Sequence, residues 1–242
     1  MELTRERLSK EQLLSVLPAS GTSGITTYTL AGETPAVNAP WLDADSCDRL
    51  TTAAVESETG SVLFLRDRDL LLALPPFPVE TARSSDTIDT GPLIEMLERP
   101  RIIAAFLLRR GGYTIGLFRG SLLADSKTDR RFVKNRHKKG GQSQRRFDRI
   151  REKQVFELFG KACEDLRETL TPYEREIERF FVGGDRQALI AFRKQCDYLD
   201  RFGARVPRRI LPVAGDPRKA SLDAVPRDAW SSDVWIARPE TT

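Results

Sequence analysis

The sequence predicts an α/β fold built on a mixed sheet, and three features of its second half carry that prediction. Ile102–Leu108 is a nearly continuous apolar run, the pattern of a strand buried on both faces. Gly111-Gly112 and Gly120 set off two further strand-length segments, Tyr113–Phe118 and Ser121–Ser126, as tight turns do. Beyond a basic stretch, Phe147, Ile150, Val155, Leu158, Phe159, Ala162, Leu166 and Leu170 keep helical spacing from about Ser143 to Leu170, with Pro172 just past the end. A strand over Arg179–Val182, a helix over Arg186–Leu199, a strand over Arg209–Val213 and a helix over Pro217–Val225 complete the order. Hairpins supply the antiparallel part of such a sheet and helical crossovers the parallel part.

The first half is less regular. Arg5–Leu17 has the spacing of an amphipathic helix, with Thr4 as N-cap and Pro18 as its end. Ile25–Leu30 alternates as a strand does, and Asp45–Glu58 reads as a helix. Val62–Leu65 and Leu70–Leu74 form a hairpin across Asp67-Arg68-Asp69, which Pro75-Pro76-Phe77-Pro78 stops. Thr81–Thr90 is polar and reads as a connection, and Pro92–Glu98 as a short helix. A boundary near residue 100 divides an N-terminal α/β segment of unassigned role, 1–99, from a second domain, 100–242. The tail Trp230–Thr242 reads as loosely structured, with Trp230 and Trp235 as candidates to pack back on the core.

With 40% hydrophobic and 31% charged residues, the chain has the composition of a soluble globular protein with a real core. No apolar run approaches the roughly 20 residues that span a membrane. The opening MELTRERLSKEQLL lacks the apolar core of a signal peptide. A cytoplasmic monomer with no membrane partner is the expectation. Cys47, Cys163 and Cys196 are scattered, so no disulfide framework is expected. With His137 the only histidine and no CxxC or HxxxH spacing, no metal and no cofactor are expected either. Asp67, Asp69 and Asp125 could pass for nuclease carboxylates, but the first two belong to the hairpin turn and the third has no visible acidic partner.

The net charge is only +4, yet the basic excess is concentrated between Lys127 and Lys153. Within it, Val133–Arg151 reads VKNRHKKGGQSQRRFDRIR. Gly140 and Gly141 lack a Cβ, so the backbone there can take positive φ and come close to another molecule. Lys134, Arg136, Lys138, Lys139, Arg145, Arg146, Arg149 and Arg151 make a polyanion the natural partner, with RNA foremost, and His137 reads as a solvated loop residue whose place permits an RNA contact. Gln142 places an uncharged amide at the tip. Positive charge where a helix begins opposes the helix dipole, which also favours a charged partner. Phe147 and Ile150 are expected in the core.

Gly-Gly-Gln followed by Ser143, Arg146-Phe147, Arg149 and Arg151 resembles the middle domain of archaeal and eukaryotic class I peptide release factors. The resemblance covers about Ile102–Val213 and is specific around Lys138–Arg151. It implies a ribonuclease-H-like mixed sheet with flanking helices and a mobile Gly-Gly-Gln loop. It also implies that the loop enters the peptidyl-transferase centre and promotes hydrolysis of the ester joining peptide to tRNA. Nothing in the chain resembles the stop-codon-reading domain, and no ankyrin repeat or zinc-finger spacing is present. The chain is therefore more similar to the branch of stand-alone ribosome-quality-control peptidyl-tRNA hydrolases, which release nascent chains from stalled ribosomes or large subunits. That branch also uses a Gly-x-x-Gln form, and Gly141-Gln142-Ser143-Gln144 fits it, so Gln144 is an alternative to Gln142.

An amide does not titrate near neutrality, so a glutamine cannot serve as a general base. Orienting water and excluding competing nucleophiles remain open to its side chain, and its backbone N–H can donate to a developing oxyanion. The resemblance implies that the ribosome, peptidyl-tRNA and rRNA are the partners and that a tRNA hydroxyl carries the proton. A second reading needs only the basic face: a non-catalytic rRNA- or tRNA-binding factor.

Overall fold

The computed structural model describes residues 3–130 and 142–238, with side chains in the second stretch described from residue 149 onward. The chain opens with β1 (Leu3–Leu8), α1 (Lys10–Val16), β2 (Ser23–Thr29) and α2 (Ala44–Val55). A hairpin of β3 (Ser61–Arg66) and β4 (Asp69–Leu74) follows, then β5 (Arg83–Thr87) and α3 (Gly91–Glu98). Tight turns join β6 (Ile102–Arg109), β7 (Gly112–Arg119) and β8 (Leu122–Arg130). After these come α4 (Gln142–Leu170), β9 (Arg179–Gly184), α5 (Arg186–Arg193), β10 (Ile210–Leu211), α6 (Val225–Ala229) and β11 (Ser232–Ala237). The chain divides into one unit of residues 1–99 with 227–242 and another of residues 100–226.

In the first unit the strands pair in the order β1-β11-β4-β3-β2-β5, antiparallel throughout. The runs VLFL and LLLA are apolar without a break because this sheet is buried on both faces. Val62, Phe64, Leu71, Ala73 and Val234 share one face with Leu13 of α1 and Leu93 and Leu97 of α3. Leu63, Leu65, Leu70, Leu72 and Trp235 share the other with Leu50 and Ala54 of α2. Alternate residues of one strand thus enter opposite cores, as the two-residue period of a strand requires. Asp67 takes φ 51° in the β3–β4 turn, which supports the sequence expectation for that hairpin.

Three expectations for this unit are corrected. The helix over Arg5–Leu17 is a strand followed by a shorter helix. Leu3–Leu8 pairs with β11, where Arg7 binds Asp233 through Nε and Nη2 at 2.9 and 3.0 Å, and Arg5 lies 4.8 Å over the Trp235 ring. Ser9, not Thr4, caps α1, in a capping box with Gln12. The polar connection Thr81–Thr90 contains the edge strand β5, tied to β2. Finally, the tail assigned to the 100–242 segment is not loosely structured: β11 lies between β1 and β4, while Trp230 and Trp235 do pack back as the sequence allows, Trp230 edge-on against Phe77 with ring centroids 5.1 Å apart.

The second unit is the mixed sheet the sequence predicts. Its order is β10-β9-β6-β7-β8, with β6–β7 and β7–β8 antiparallel and β6–β9 and β9–β10 parallel. Three hairpin-joined strands extended by two parallel crossover strands are the ribonuclease-H-like arrangement. One face carries Ala104, Phe106, Leu108, Tyr113 and Ile115 against Leu158, Leu166 and Leu170 of α4 and Phe192 of α5. The helix expected over Arg186–Leu199 ends at Arg193, and a 3-10 segment, Tyr198–Arg205, continues the cover with Phe202 edge-on to Phe180. The last strand is only two residues long, and the helix expected over Pro217–Val225 resolves into a 3-10 turn at Lys219–Leu222 followed by α6. Leu222 of that turn sits over Gly116, where a Cβ would meet its Cδ2 at 2.9 Å.

Gly183-Gly184 ends β9 against its neighbours. Gly184 has φ +103°, and a Cβ on it would fall 2.2 Å from the Leu108 carbonyl oxygen. That close approach lets Asp185 cap α5 at once, its carboxylate accepting from the Ala188 N–H at 2.6 Å. Although the sequence predicts no disulfide framework, Cys163 of α4 and Cys196, beyond α5, form one disulfide across 33 residues. Their separation in sequence concealed the pairing; the packing of α4 on the α5 segment creates it.

Candidate functional site

The candidate site is the amino-terminal end of α4 with the segment that precedes it. Of the residues singled out in the sequence, Lys134, Arg136, His137, Lys138, Lys139, Gly140 and Gly141 lie outside the described residues. Gln142 opens α4, and the positions of Gln144, Arg145 and Arg146 fall in its first turns. Arg149 is exposed on α4. β8 ends at Arg130, so the segment bearing the two glycines links that strand to the helix.

α4 has 29 residues and therefore a length of roughly 44 Å. Its two ends are treated differently by the fold. From Leu158 to Leu170 the apolar residues are buried in the core. Toward the other end Arg149, Glu152 and Lys153 are exposed, and Ile150, expected in the core, is 38% exposed. The helical spacing of Ile150 continues the apolar stripe, but the stripe outruns the sheet beneath it. α4 is thus anchored at its carboxyl-terminal half, while Arg149, Ile150, Glu152 and Lys153 on its other half are exposed.

Several contacts fix the anchored half. Tyr113 Oη of β7 donates to Asp165 Oδ2 at 2.5 Å, and Lys161 Nζ reaches Asp165 Oδ1 at 2.9 Å. That carboxylate, through a hydrogen bond and its charge, raises the Lys161 ammonium above the ordinary lysine value. Gln195 Nε2 donates to the Phe156 carbonyl at 2.9 Å, Arg167 pairs with Asp197, and the Cys163–Cys196 disulfide lies between these contacts. Sequence reasoning missed Asp165 because a buried acid on a helix resembles any surface acid until its burial is known. Among the described residues no three His, Cys, Asp or Glu side chains gather as a metal site would require.

Residues 101–235, more than half of the chain, match the model of the Actinobacteria/chloroflexi VLRF1 release factor family. The chain belongs to this family. Among curated proteins, peptide chain release factor subunit 1 of Archaeoglobus fulgidus is 31% identical over 109 residues, covering 45% of this chain and 27% of that protein. The same subunit of Aeropyrum pernix is 34% identical over 133 residues, covering 52% of this chain and 36% of its own. The chain therefore spans between a quarter and two-fifths of the length of these relatives. The crystal structure of archaeal translation termination factor, aRF1, matches at a TM-score of 0.40 with 19% identity, over 92% of this chain and 73% of that one. The family match begins one residue before β6, and the release-factor resemblance seen at Gly-Gly-Gln is borne out by it. Among the described residues no helix is long and apolar enough to cross a membrane.

Proposed function

We propose that this member of the release factor family is a ribosome-associated peptidyl-tRNA hydrolase that releases nascent chains from stalled ribosomes or large subunits. The observation that supports the reading is that Gln142, which follows Gly140-Gly141 in sequence, opens a 29-residue helix whose carboxyl-terminal half is buried against a sheet and whose Arg149, Ile150, Glu152 and Lys153 are exposed. A helix fixed through its far half suits delivery of a motif at its start into a site built by another particle. The ribosome would supply most of that site, so a cluster of titratable catalytic groups on the chain is not required.

In this reading Gly140 and Gly141 let the backbone approach the ester. The Gln142 side chain orients the attacking water, and its backbone N–H donates to the oxyanion that forms as water adds to the ester carbonyl. The proton passes through a hydroxyl of the tRNA substrate. Lys134, Arg136, His137, Lys138, Lys139, Arg145, Arg146 and Arg149 hold rRNA and tRNA phosphates. The protein works in the cytoplasm as a monomer on the large subunit, without metal or cofactor.

The test is release of labelled peptide from a stalled peptidyl-tRNA–large-subunit complex by the purified chain. Gln142→Ala should remove release and keep binding, whereas Lys138→Ala with Lys139→Ala should weaken binding. The competing reading, a non-catalytic RNA-binding factor, draws on the basic residues alone. It prevails if wild-type protein binds the complex and releases nothing.

A further inference from the structure

Between α4 and α5 lies an open cleft of about 670 Å3. It borders Arg110, which follows β6, and Ala188 and Ala191 of α5, which follows β9. It therefore opens at the carboxyl ends of two parallel strands, the edge at which open α/β sheets bind ligands. Its α4 wall is formed by Arg151, Val155, Phe156 and Phe159. Arg151 is nine residues from Gln142, or roughly 14 Å along the helix.

Three features of the cleft are unexplained by folding. Phe156 is 64% exposed, although a ring of this size stabilises a fold mainly when buried. Arg151 Nε is buried and has no hydrogen-bond partner, and buried donors are normally satisfied. Arg110, on the same lining, is exposed and, among the described residues, makes no ion pair with a carboxylate. An exposed aromatic face flanked by two uncommitted guanidiniums is the chemistry that holds an unpaired nucleotide: the base stacks on the ring and the phosphate meets the arginines. One carboxylate, Glu152, stands on the rim.

We propose that this cleft binds one unpaired RNA nucleotide, with its base against Phe156 and its phosphate on Arg110 and Arg151. This rests on the reading of the chain as a ribosome-bound factor, where the acceptor end of tRNA and rRNA loops present the same chemistry. An acidic peptide would satisfy the arginines but would leave the ring without a flat partner.

The test uses the full chain and a fluorescent single-stranded RNA hexamer, titrated by anisotropy, beside an abasic hexamer of equal charge. Phe156→Ala should weaken binding of the base-bearing RNA about ten-fold, the scale of one lost stack, and leave the abasic RNA unaffected. Phe156→Trp should restore it. Arg110→Gln with Arg151→Gln should weaken both RNAs, and Glu152→Gln should tighten both. Because Phe156 is exposed, these ring variants should fold normally by circular dichroism. Equal effects of Phe156→Ala on the two RNAs, or none, overturn the proposal, as does displacement of the RNA by polyglutamate as readily as by unlabelled RNA of equal charge.

On the ribosome, a benzophenone side chain in place of Phe156 should crosslink to tRNA or to rRNA, and which one it marks identifies the source. Crosslinks to protein alone count against a nucleotide site. Hexamer binding does not require ester hydrolysis, and Gln142→Ala should leave it intact. Loss of the hydrolase reading and loss of this one are therefore distinguishable.

Discussion

Tyr113 Oη donates to Asp165 Oδ2 at 2.5 Å across the β7–α4 interface, and both residues are wholly buried. This bond joins β7 to the carboxyl-terminal half of the helix that begins at Gln142. Without the phenol, the buried carboxylate keeps, among the described residues, Lys161, whose own side chain is 41% exposed. Hydrogen bonds to charged groups contribute about 1.5–3 kcal/mol, and the cost is greatest when a buried charge is left short of donors. Tyr113→Phe should therefore lower unfolding stability by about 2 kcal/mol in urea. A loss below about 0.5 kcal/mol would show that Lys161 alone satisfies Asp165.

How much of this was legible in the sequence varies with how local the cause is. The order from β6 to β10 could be written down in advance because strands buried on both faces produce unbroken apolar runs and α4 keeps its period. β1 could not, because LTRERL, apart from Thr4, is made of residues that favour helices, and its strand state comes from pairing with β11, more than two hundred residues away. β11 itself looked like a tail because WIA beside a chain end carries no turn signal; its insertion between β1 and β4 is a tertiary fact. The RSSDT strand β5 is polar because it forms a sheet edge and faces no core. At the candidate site, Gly-Gly-Gln was legible as chemistry, whereas the anchoring of α4 was not. Asp165, Cys163 and Cys196 acquire meaning only once the helix lies on the sheet.

The disulfide should stabilise the second unit. Closing a loop with a sequence separation of 33 restricts the unfolded chain by about 3–4 kcal/mol on the loop-entropy estimate. Cys163→Ala with Cys196→Ala, or the wild type under reductant, should show a lower urea midpoint by circular dichroism. Equal midpoints with and without reductant would mean that the two cysteines are not bridged in solution.

Tyr28 should give the first unit an alkaline limit. Its ring is buried, its hydroxyl donates to the Asp89 carbonyl at 2.9 Å, and it accepts from the Leu93 N–H at 3.2 Å. Burial pushes the phenol up from 10.0 to about 12. Because the folded state favours the neutral phenol, its contribution is fully present below pH 10 and is lost as pH rises from 10 toward 12. The difference in stability between wild type and Tyr28→Phe should shift across that window by on the order of 2 kcal/mol. Trp41, Trp230 and Trp235 all belong to the first unit, so tryptophan fluorescence reports its unfolding. A difference that stays flat from pH 9 to pH 12 would mean Tyr28 ionises as readily folded as unfolded.

The two candidate glutamines make opposite predictions for peptide release. Gln142 is the first residue of α4 and Gln144 the third. Two residues along an α-helix correspond to a rotation of about 200° and a rise of about 3 Å, so the two positions cannot address one ester in the same pose. Gln142 directly follows Gly140-Gly141, where the backbone has the greatest freedom to approach the substrate. Gln142→Ala should therefore reduce single-turnover release by about 100-fold, the scale of losing a positioning group, while large-subunit binding stays within about two-fold. Gly141→Ala should also slow release, because a Cβ restricts both positive φ and close approach. Gln144→Ala should cost less than about five-fold, as expected of a helical residue that does not touch the reacting atoms. If Gln144→Ala stops release and Gln142→Ala does not, Gly141-Gln142-Ser143-Gln144 is the working register and the reacting end of the helix lies one half-turn further along.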